Sequence, residues 1–409
     1  VVYGEYFKES DIEKIKKVIG ADGKAHYELD KQRDLEIPES IFSFKKNVNR
    51  IKELDDLLTN VKVVDPATGS GAFPLGMLNE IVKTREILTS YMMIEMNGFE
   101  RLSFYSYGRK PYDLKINTIR NCIFACDIEP SAVDITKLRF YLSLVIDDHI
   151  SDKTSLEFDE HTQPKPLPSL ECNIICGNSL IDEFEGRQLI TKSDFLNNAK
   201  DNYQMSIAQY AIDPLIEKLI DCQSKYFYAQ DHNEKENLKE AIQKIYDQII
   251  YEQIKDSPDL VNDYNEAKNL SSKPFVLWEL NFPEVFNKKK GFDIAIGNPP
   301  YVLLQDKVRN EKELEYYRNE YEVAKYKVDL YHLFIEKSVK LLNNNGTVAL
   351  ITPSNFTTNN YCADLRKFML TRLHLIDLVF YGDNVFQANV NNLVFVGEIK
   401  EKDTNEELI

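Results

Sequence analysis

Residues 61–82 read VKVVDPATGSGAFPLGMLNEIV and place a strand, a glycine-rich turn and a helix in immediate succession. The apolar run at 61–64 is typical of a buried strand, and apolar residues recur at helical spacing over 74–82. This succession is the opening βα unit of a doubly wound α/β fold. Gly69 and Gly71 let the backbone pass close to a ligand, which would face the free N–H groups at the helix start. The turn matches neither a phosphate-binding P-loop nor a complete dinucleotide fingerprint.

Two further strands end in residues suited to a nucleoside. The strand CIFAC at 122–126 ends at Asp127 and Ile128, and the strand NIIC at 173–176 is followed by Asn178. An acidic residue at the end of the second strand is placed to accept hydrogen bonds from ribose hydroxyls. Ile128 would lie against an adenine ring, and Asn178 can both donate to and accept from an adenine edge. Asp127 and Asn178 are also typical helix N-caps, but their successive placement at strand ends favours a binding site.

A catalytic pattern follows the strand FDIAIG at 292–297, namely Asn298, Pro299, Pro300 and Tyr301. An exocyclic amine on a nucleobase is a poor nucleophile, and a site that accepts both of its N–H hydrogens aims the lone pair at a methyl donor. The Asn298 side-chain oxygen and the Pro299 carbonyl are suited to be those acceptors. The prolines hold the backbone rigid, and Tyr301 offers a face on which an extruded base can stack. The alternative is a strand followed by a Pro-Pro turn with a surface tyrosine.

These motifs resemble those of the gamma-class adenine-specific DNA methyltransferases. Residues 65–73 resemble motif I, 298–301 look like the catalytic motif IV, and their order is that of the gamma class. The run SGAFPLGML at 70–78 looks like the fused restriction-modification enzymes of type IIG and their relatives in phage defence. The resemblance extends from about residue 53 to 398. It implies a Rossmann-like methyltransferase fold: a mostly parallel seven-stranded sheet with a terminal antiparallel hairpin and a helical insertion.

The resemblance implies S-adenosylmethionine as cofactor. Its expected contacts are Asp65, Ala67, Gly69 and Gly71 around the methionine part, Asp127 on the ribose, Ile128 on the adenine face and Asn178 on the adenine edge. The usual acid of motif III is Asn178 here. The family also carries an aromatic and Thr-Pro segment upstream of motif I. Nothing before Asp65 matches it and the chain starts at Val1 without methionine, so we expect a fragment that begins downstream of that segment.

Two phenylalanines would complete the site by resemblance. Phe334, in the motif-V-like run DLYHLFIEK at 329–337, would close on the cofactor adenine; a core phenylalanine on an amphipathic helix is an equal alternative. Phe386 precedes the last hairpin strand at 393–396 and would stack with Tyr301 on the flipped base, or simply anchor a loop.

The net charge of −16 argues against extensive contact with nucleic-acid phosphates by the chain as a whole. Either a local basic face contacts DNA, for which Arg309, Lys312, Lys325 and Lys327 are candidates, or the contacts lie elsewhere in a longer parent protein. A solvated surface is the plain alternative for each lysine. We expect double-stranded DNA as partner, together with target-recognition domains, and a nuclease domain where the parent has one, in the same polypeptide.

The remaining composition indicates a cytoplasmic enzyme. No apolar run reaches the length of a membrane span and no signal peptide opens the chain. The six cysteines form no disulfide framework. The CxxxC pairs Cys122/Cys126 and Cys172/Cys176 lie in apolar strand patterns, which favours buried thiols over zinc, and no metal site is expected.

The chain divides into four predicted segments: a helical lead-in at 1–60, a cofactor-binding half at 61–180, a helical-hairpin insertion at 181–290 and a catalytic half at 291–409. The function that this order indicates is methyl transfer to adenine in flipped bases of double-stranded DNA. One alternative is methylation of a protein glutamine side-chain amide, an enzyme class that shares Asn-Pro-Pro-Tyr but usually differs in motif I and lacks a long insertion. The other is an inactive scaffold.

Overall fold

The computed structural model describes residues 44–93, 96–151, 167–187, 189, 207–304, 310–325, 327–381 and 391–400. Contacts divide them into two units. Unit 1 holds 44–61, 75–123 and 141–151; unit 2 holds 62–74, 124–140 and the described residues from 167 onward. No helix within the described ranges is both long and apolar enough to cross a membrane.

Helices and strands alternate over most of the chain. In order they are α1 (Phe44–Asn60), β1 (Val63–Asp65), α2 (Ala72–Met93), α3 (Gly98–Ser106), α4 (Pro111–Cys122), β2 (Ile123–Asp127), α5 (Pro130–Ser151), β3 (Ile174–Cys176), α6 (Ile207–Tyr228), α7 (His232–Ile254), α8 (Pro258–Ala267), α9 (Trp278–Asn281), α10 (Pro283–Lys289), β4 (Phe292–Gly297), α11 (Glu311–Glu320), α12 (Leu330–Leu341), β5 (Leu342–Pro353), α13 (Ala363–Arg372), β6 (Leu373–Tyr381) and β7 (Asn392–Ile399).

The seven strands form one sheet in the order β3-β2-β1-β4-β5-β7-β6. The pairs β2–β3, β1–β4 and β4–β5 are parallel, whereas β7 runs antiparallel to both β5 and β6. A mostly parallel sheet that ends in an antiparallel hairpin is the arrangement that the sequence predicts, and the fold class is therefore confirmed.

The centre of the sheet brings together two motifs that are far apart in the chain. Val63 pairs with Ile294 and Val64 with Ala295, so β1 and β4 end side by side. The Lys62 N–H donates to Asp293 Oδ2 at 2.7 Å, a contact between residues 231 positions apart. Because β1 leads into the glycine-rich turn and β4 into Asn298, this register sets the two motifs next to each other.

Aromatic side chains fill the core behind the sheet in unit 2. Phe124 of β2 contacts Phe282 and Phe292, with ring centroids 5.3 Å and 5.6 Å apart. Trp278 is fully buried, and its indole N–H donates to the Ser179 carbonyl at 3.1 Å. The chain thus returns to the core at Trp278 and Phe282, both of which are buried.

The inserted segment contains the expected pair of long helices. Residues 229–231 join α6 to α7, and the Asp231 carboxylate caps α7 by accepting from the Glu234 N–H at 3.0 Å. The helices pack on each other through apolar stripes, whose buried members include Ile216, Leu219, Ile245 and Ile249.

Unit 1 contains a buried ionic network. Asp55 of α1 accepts from Arg85 Nε at 3.1 Å and from Arg109 Nη2 at 2.6 Å. Burial alone would raise the pKa of Asp55, but the hydrogen bonds and charges of Arg109 and Arg85 outweigh it and lower this pKa. The network joins α1, α2 and the connection between α3 and α4.

Candidate cofactor and catalytic site

The turn after β1 has the backbone geometry that its glycines permit. Gly69 and Gly71 have φ angles of +53° and +80°, in the left-handed region that favours glycine. A Cβ atom on Gly71 would also lie 2.7 Å from the Thr136 side chain. The Thr68 N–H donates to the Cys126 carbonyl at 3.0 Å, which ties the turn to the end of β2.

Asp127 completes that connection. Its Oδ2 accepts from the Gly69 N–H at 2.7 Å, and its Oδ1 accepts from the Glu129 N–H at 3.0 Å. The second contact is a local turn that ends before α5 begins at Pro130, so Asp127 does not accept from an N–H of that helix as an N-cap would. Each carboxylate oxygen has a second lone pair, which leaves capacity for ligand hydroxyls.

Asp65 is the most unusual acid of the site. It is 1% exposed, and its Oδ1 accepts from the Ala67 N–H at 3.1 Å. Its buried Oδ2 has no hydrogen-bond partner among the described residues. Burial, assisted by the negative charge of Asp127, raises the pKa of Asp65 to about 8. A buried carboxyl with an unused acceptor suits a cationic ligand group, such as the α-ammonium of S-adenosylmethionine.

Asp65 also lies directly against the end of strand β4. A Cβ atom on Gly297 would lie 2.7 Å from Asp65 Oδ1. Glycine at the end of β4 therefore lets the buried carboxyl approach the backbone that leads into Asn298.

The residues expected at the cofactor adenine lie at the ends of β2 and β3. Ile128 is 57% exposed, and its carbonyl accepts from Ser272 Oγ at 2.6 Å. Asn178 is 7% exposed; its Oδ1 accepts from the Leu180 N–H at 3.1 Å and its Nδ2 donates to the Tyr317 hydroxyl at 3.3 Å. Phe334 is 8% exposed on α12 and belongs to the hydrophobic core cluster of unit 2.

The tetrapeptide at 298–301, which the sequence predicts to be catalytic, follows β4 without helix or strand structure of its own. The Tyr301 hydroxyl lies 2.6 Å from Asn298 Oδ1 and 3.2 Å from the Ile351 carbonyl, and both oxygens are acceptors. Burial raises the pKa of Tyr301 to about 12, so the phenol is a neutral donor at physiological pH. Pro299 is buried and Pro300 is exposed. The Tyr301 ring meets the edge of Tyr331 at a centroid distance of 6.1 Å.

The segment after the tetrapeptide is tied to the start of α12. The Leu304 N–H donates to the Val328 carbonyl and the Leu330 N–H to the Val302 carbonyl, both at 2.9 Å. Asp329, between them, has a buried Oδ1 without a hydrogen-bond partner in the described part of the chain, and burial raises its pKa to about 6. No local sequence pattern marks Asp329, because only the three-dimensional pairing of the two segments reveals its position.

Several remaining candidates are exposed or outside the described residues. Lys312, Lys325 and Lys327 are exposed, and Lys327 Nζ lies 4.9 Å from the centre of the Tyr361 ring. Arg309 and Phe386 lie outside the described residues.

The two cysteine pairs that the sequence offers as metal ligands differ in burial. Cys122 and Cys126 are buried, and Cys172 and Cys176 are half-buried. Within the described ranges, no group of three or more His, Cys, Asp or Glu side chains is arranged to hold a metal ion.

Comparisons with known proteins match most of the chain. A family model described as Eco57I restriction-modification methylase matches residues 121–386. RM.MjaORFECS2P of Methanocaldococcus jannaschii is 28% identical over 402 residues, covering 86% of this chain and 31% of that protein. The type II restriction enzyme and methyltransferase RM.Eco57I of Escherichia coli is 25% identical over 386 residues, covering 86% of this chain and 37% of that protein.

The chain thus spans about a third of the length of these two relatives. Among solved structures, the Type IIL restriction-modification enzyme MmeI in complex with DNA aligns with a TM-score of 0.45 at 12% identity, covering 97% of this chain and 37% of that one.

Proposed function

The chain belongs to the Eco57I restriction-modification methylase family, and from this premise we propose that it transfers a methyl group from S-adenosylmethionine to the exocyclic amine of adenine in double-stranded DNA. It would act in the cytoplasm as the modification module of a type IIG restriction-modification or phage-defence enzyme. The observation that carries the proposal is the β1–β4 register. It sets the Asp65 carboxyl, whose buried Oδ2 has no hydrogen-bond partner among the described residues, beside the strand that leads into Asn298.

The cofactor would be held by residues of unit 2. Asp65 would receive the α-ammonium, and the backbone of the turn at Ala67, Gly69 and Gly71 would lie along the methionine part. Asp127 would accept from the ribose, and Ile128, Asn178 and Phe334 would enclose the adenine. When bound, S-adenosylmethionine supplies an electrophilic methyl group on a sulfonium. Asp127 already fixes the turn through Gly69, so one carboxylate both shapes the pocket and binds the ligand.

Asn298 and Pro299 activate the acceptor amine. The Asn298 Oδ1 and the Pro299 carbonyl accept the two N–H hydrogens, which concentrates the nitrogen lone pair toward the methyl carbon. The nitrogen–carbon bond would form as the carbon–sulfur bond breaks, and the proton that the methylated amine then loses would pass to solvent water. Positioning and polarisation suffice, so no strong base is required.

The target base must leave the duplex to reach these acceptors. Tyr301 stacks on one face, and Phe386 is proposed for stacking as well. The Tyr301 hydroxyl has a second acceptor in the Ile351 carbonyl, so it can turn away from Asn298 when the amine arrives. Target recognition, and cleavage where it occurs, would belong to other parts of the parent polypeptide, consistent with the greater length of the relatives.

Nucleoside mass spectrometry tests the proposal. The parent protein and its Asn298→Ala variant are incubated with S-adenosylmethionine and unmethylated DNA, and the digested DNA is analysed for methyladenine. We expect product from the parent protein and a loss of at least about 100-fold in the variant, because one preorganised polar contact in a catalytic site contributes on that scale.

Cofactor binding, measured by calorimetry, is the control and should be unchanged in Asn298→Ala. Full activity of the variant would refute the role of Asn298. Cofactor binding by the parent without any methylated base would contradict the DNA substrate and favour a protein amide substrate or an inactive scaffold.

A further inference from the structure

Three tyrosines of one short segment contact the turn that follows β3. Tyr316 and Tyr317 lie on α11, and Tyr321 lies one residue beyond it. Their hydroxyls contact Asp182 Oδ1 at 2.9 Å, Asn178 Nδ2 at 3.3 Å and the Leu180 carbonyl at 2.5 Å, respectively. The polypeptide that follows the catalytic motif therefore packs on the residues proposed to meet the cofactor adenine.

The orientation of the Asn178 carboxamide is fixed at both ends. A backbone N–H can only donate, so the atom facing Leu180 N at 3.1 Å must be Oδ1. The amide nitrogen then faces Tyr317 at the other end. If the hydrogen bond from Leu180 were the only one, the amide could still turn about its Cβ–Cγ bond. The hydrogen bond to Tyr317 fixes the plane of the amide.

These two contacts leave one hydrogen-bond acceptor site and one N–H donor of the Asn178 side chain unused. A primary amide has two N–H donors and two acceptor lone pairs. Leu180 takes one lone pair and Tyr317 takes one N–H, so one acceptor and one donor remain. Adenine presents the matching acceptor at N1 and donor at its 6-amino group. Hypoxanthine presents the opposite order, with a donor at N1 and an acceptor at O6, and an amide held in this orientation rejects it.

We propose that Tyr317 is a positioning residue for cofactor recognition: its hydroxyl holds the second end of the Asn178 carboxamide and so fixes the plane in which that amide meets the adenine edge. The inference rests on the proposed function, because it requires Asn178 to face the cofactor. Tyr317 is itself buried against Tyr316 and Tyr321, with ring centroids at 5.9 Å and 6.0 Å, so its hydroxyl is held in place by packing.

The test compares two ligands and two neighbouring tyrosines. Calorimetry on the full 409-residue chain gives the Kd of S-adenosylhomocysteine and of its deaminated analogue, S-inosylhomocysteine. In Tyr317→Phe, we expect the preference for the adenine ligand to fall about three- to tenfold, the range for loss of one neutral hydrogen bond. Tyr316→Phe is the matched control, because it removes a hydroxyl from the adjacent position that contacts Asp182 rather than Asn178.

A double-mutant cycle separates positioning from general loosening. In an Asn178→Ala background, Tyr317→Phe should have no further effect on the ligand preference, since the group that it orients is gone. The inference would be overturned if Tyr317→Phe left the preference for the adenine ligand unchanged, or if Tyr316→Phe lowered that preference equally. Neither result would contradict the proposed cofactor binding and methyl transfer. Failure of the unmodified chain to bind S-adenosylhomocysteine at all would overturn the proposed function, and this inference with it.

Discussion

At the residue scale, the protonation state of the Asp65 carboxyl should depend on whether the cofactor is bound. With a pKa of about 8, the carboxyl of the free protein is mostly protonated at pH 7. An ammonium placed against it favours the carboxylate and lowers that pKa. Binding should therefore release close to one proton at pH 7, and cofactor affinity should rise as pH increases from 6 to 8.

Calorimetry of S-adenosylhomocysteine binding, repeated in buffers of different ionisation enthalpy, measures this proton release. Asp65→Asn is the isosteric control and should abolish it. If the unmodified chain released no proton and its affinity did not change with pH, Asp65 would not be the ligand of the ammonium.

Contacts between residues that are far apart in the chain could not be predicted from the sequence, whereas the ends of strands could. The sequence could place Asp65, Asp127 and Asn178 at or just after the ends of strands, because strand ends are readable from local apolar patterns. The contact between Asn178 and Tyr317 joins positions 139 apart, and no local pattern encodes it. The burial that leaves Asp65 Oδ2 without a partner likewise depends on β4, which is distant in sequence.

At the scale of elements, two glycines at the start of α2 provide a matched comparison. Gly71 has a φ of +80° and no room for a Cβ beside Thr136, whereas Gly76 has open space within 4 Å. Gly71→Ala should lower the free energy of unfolding by about 1–3 kcal/mol through backbone strain and should weaken cofactor binding. Gly76→Ala should raise it by about 0.5–1 kcal/mol, because alanine favours the helix.

Chemical denaturation of both variants measures these changes. Equal stabilities of the two variants would show that the conformation of the 65–71 turn does not depend on glycine at position 71.

The elements themselves were largely predictable. The strand at 292–297 has the predicted bounds, while α2 begins at Ala72 and extends to Met93, beyond the 74–82 pattern. Local periodicity identifies where such elements lie, but their ends depend on packing and capping. The family resemblance implied the mostly parallel sheet and its terminal antiparallel hairpin, but no local pattern predicts which strands are neighbours in that sheet.

At the scale of the whole molecule, a buried ionic network and an exposed ion pair should differ in what they contribute to stability. In unit 1, Asp55→Ala would leave the Arg85 and Arg109 guanidinium groups without their buried partner, at a cost of about 3–5 kcal/mol. In unit 2, Asp221→Ala removes an exposed partner of Lys225 and should cost less than about 1 kcal/mol. Thermal unfolding measures both, and a change below 1 kcal/mol for Asp55→Ala would contradict the structural role of the network.

The connection from β3 to β4 can vary in length without moving the strands that it joins. β3 lies at the edge of the sheet and β4 at its centre, so the connection must cross β2 and β1, a lateral distance of about 14 Å. Any sufficiently long segment can make that crossing, while the separation of Asp65 and Asn298 stays fixed by the β1–β4 ladder. We therefore expect that helices α6 to α8 can be shortened or replaced without changing the separation of Asp65 and Asn298, provided that the replacement still covers the apolar surface beneath.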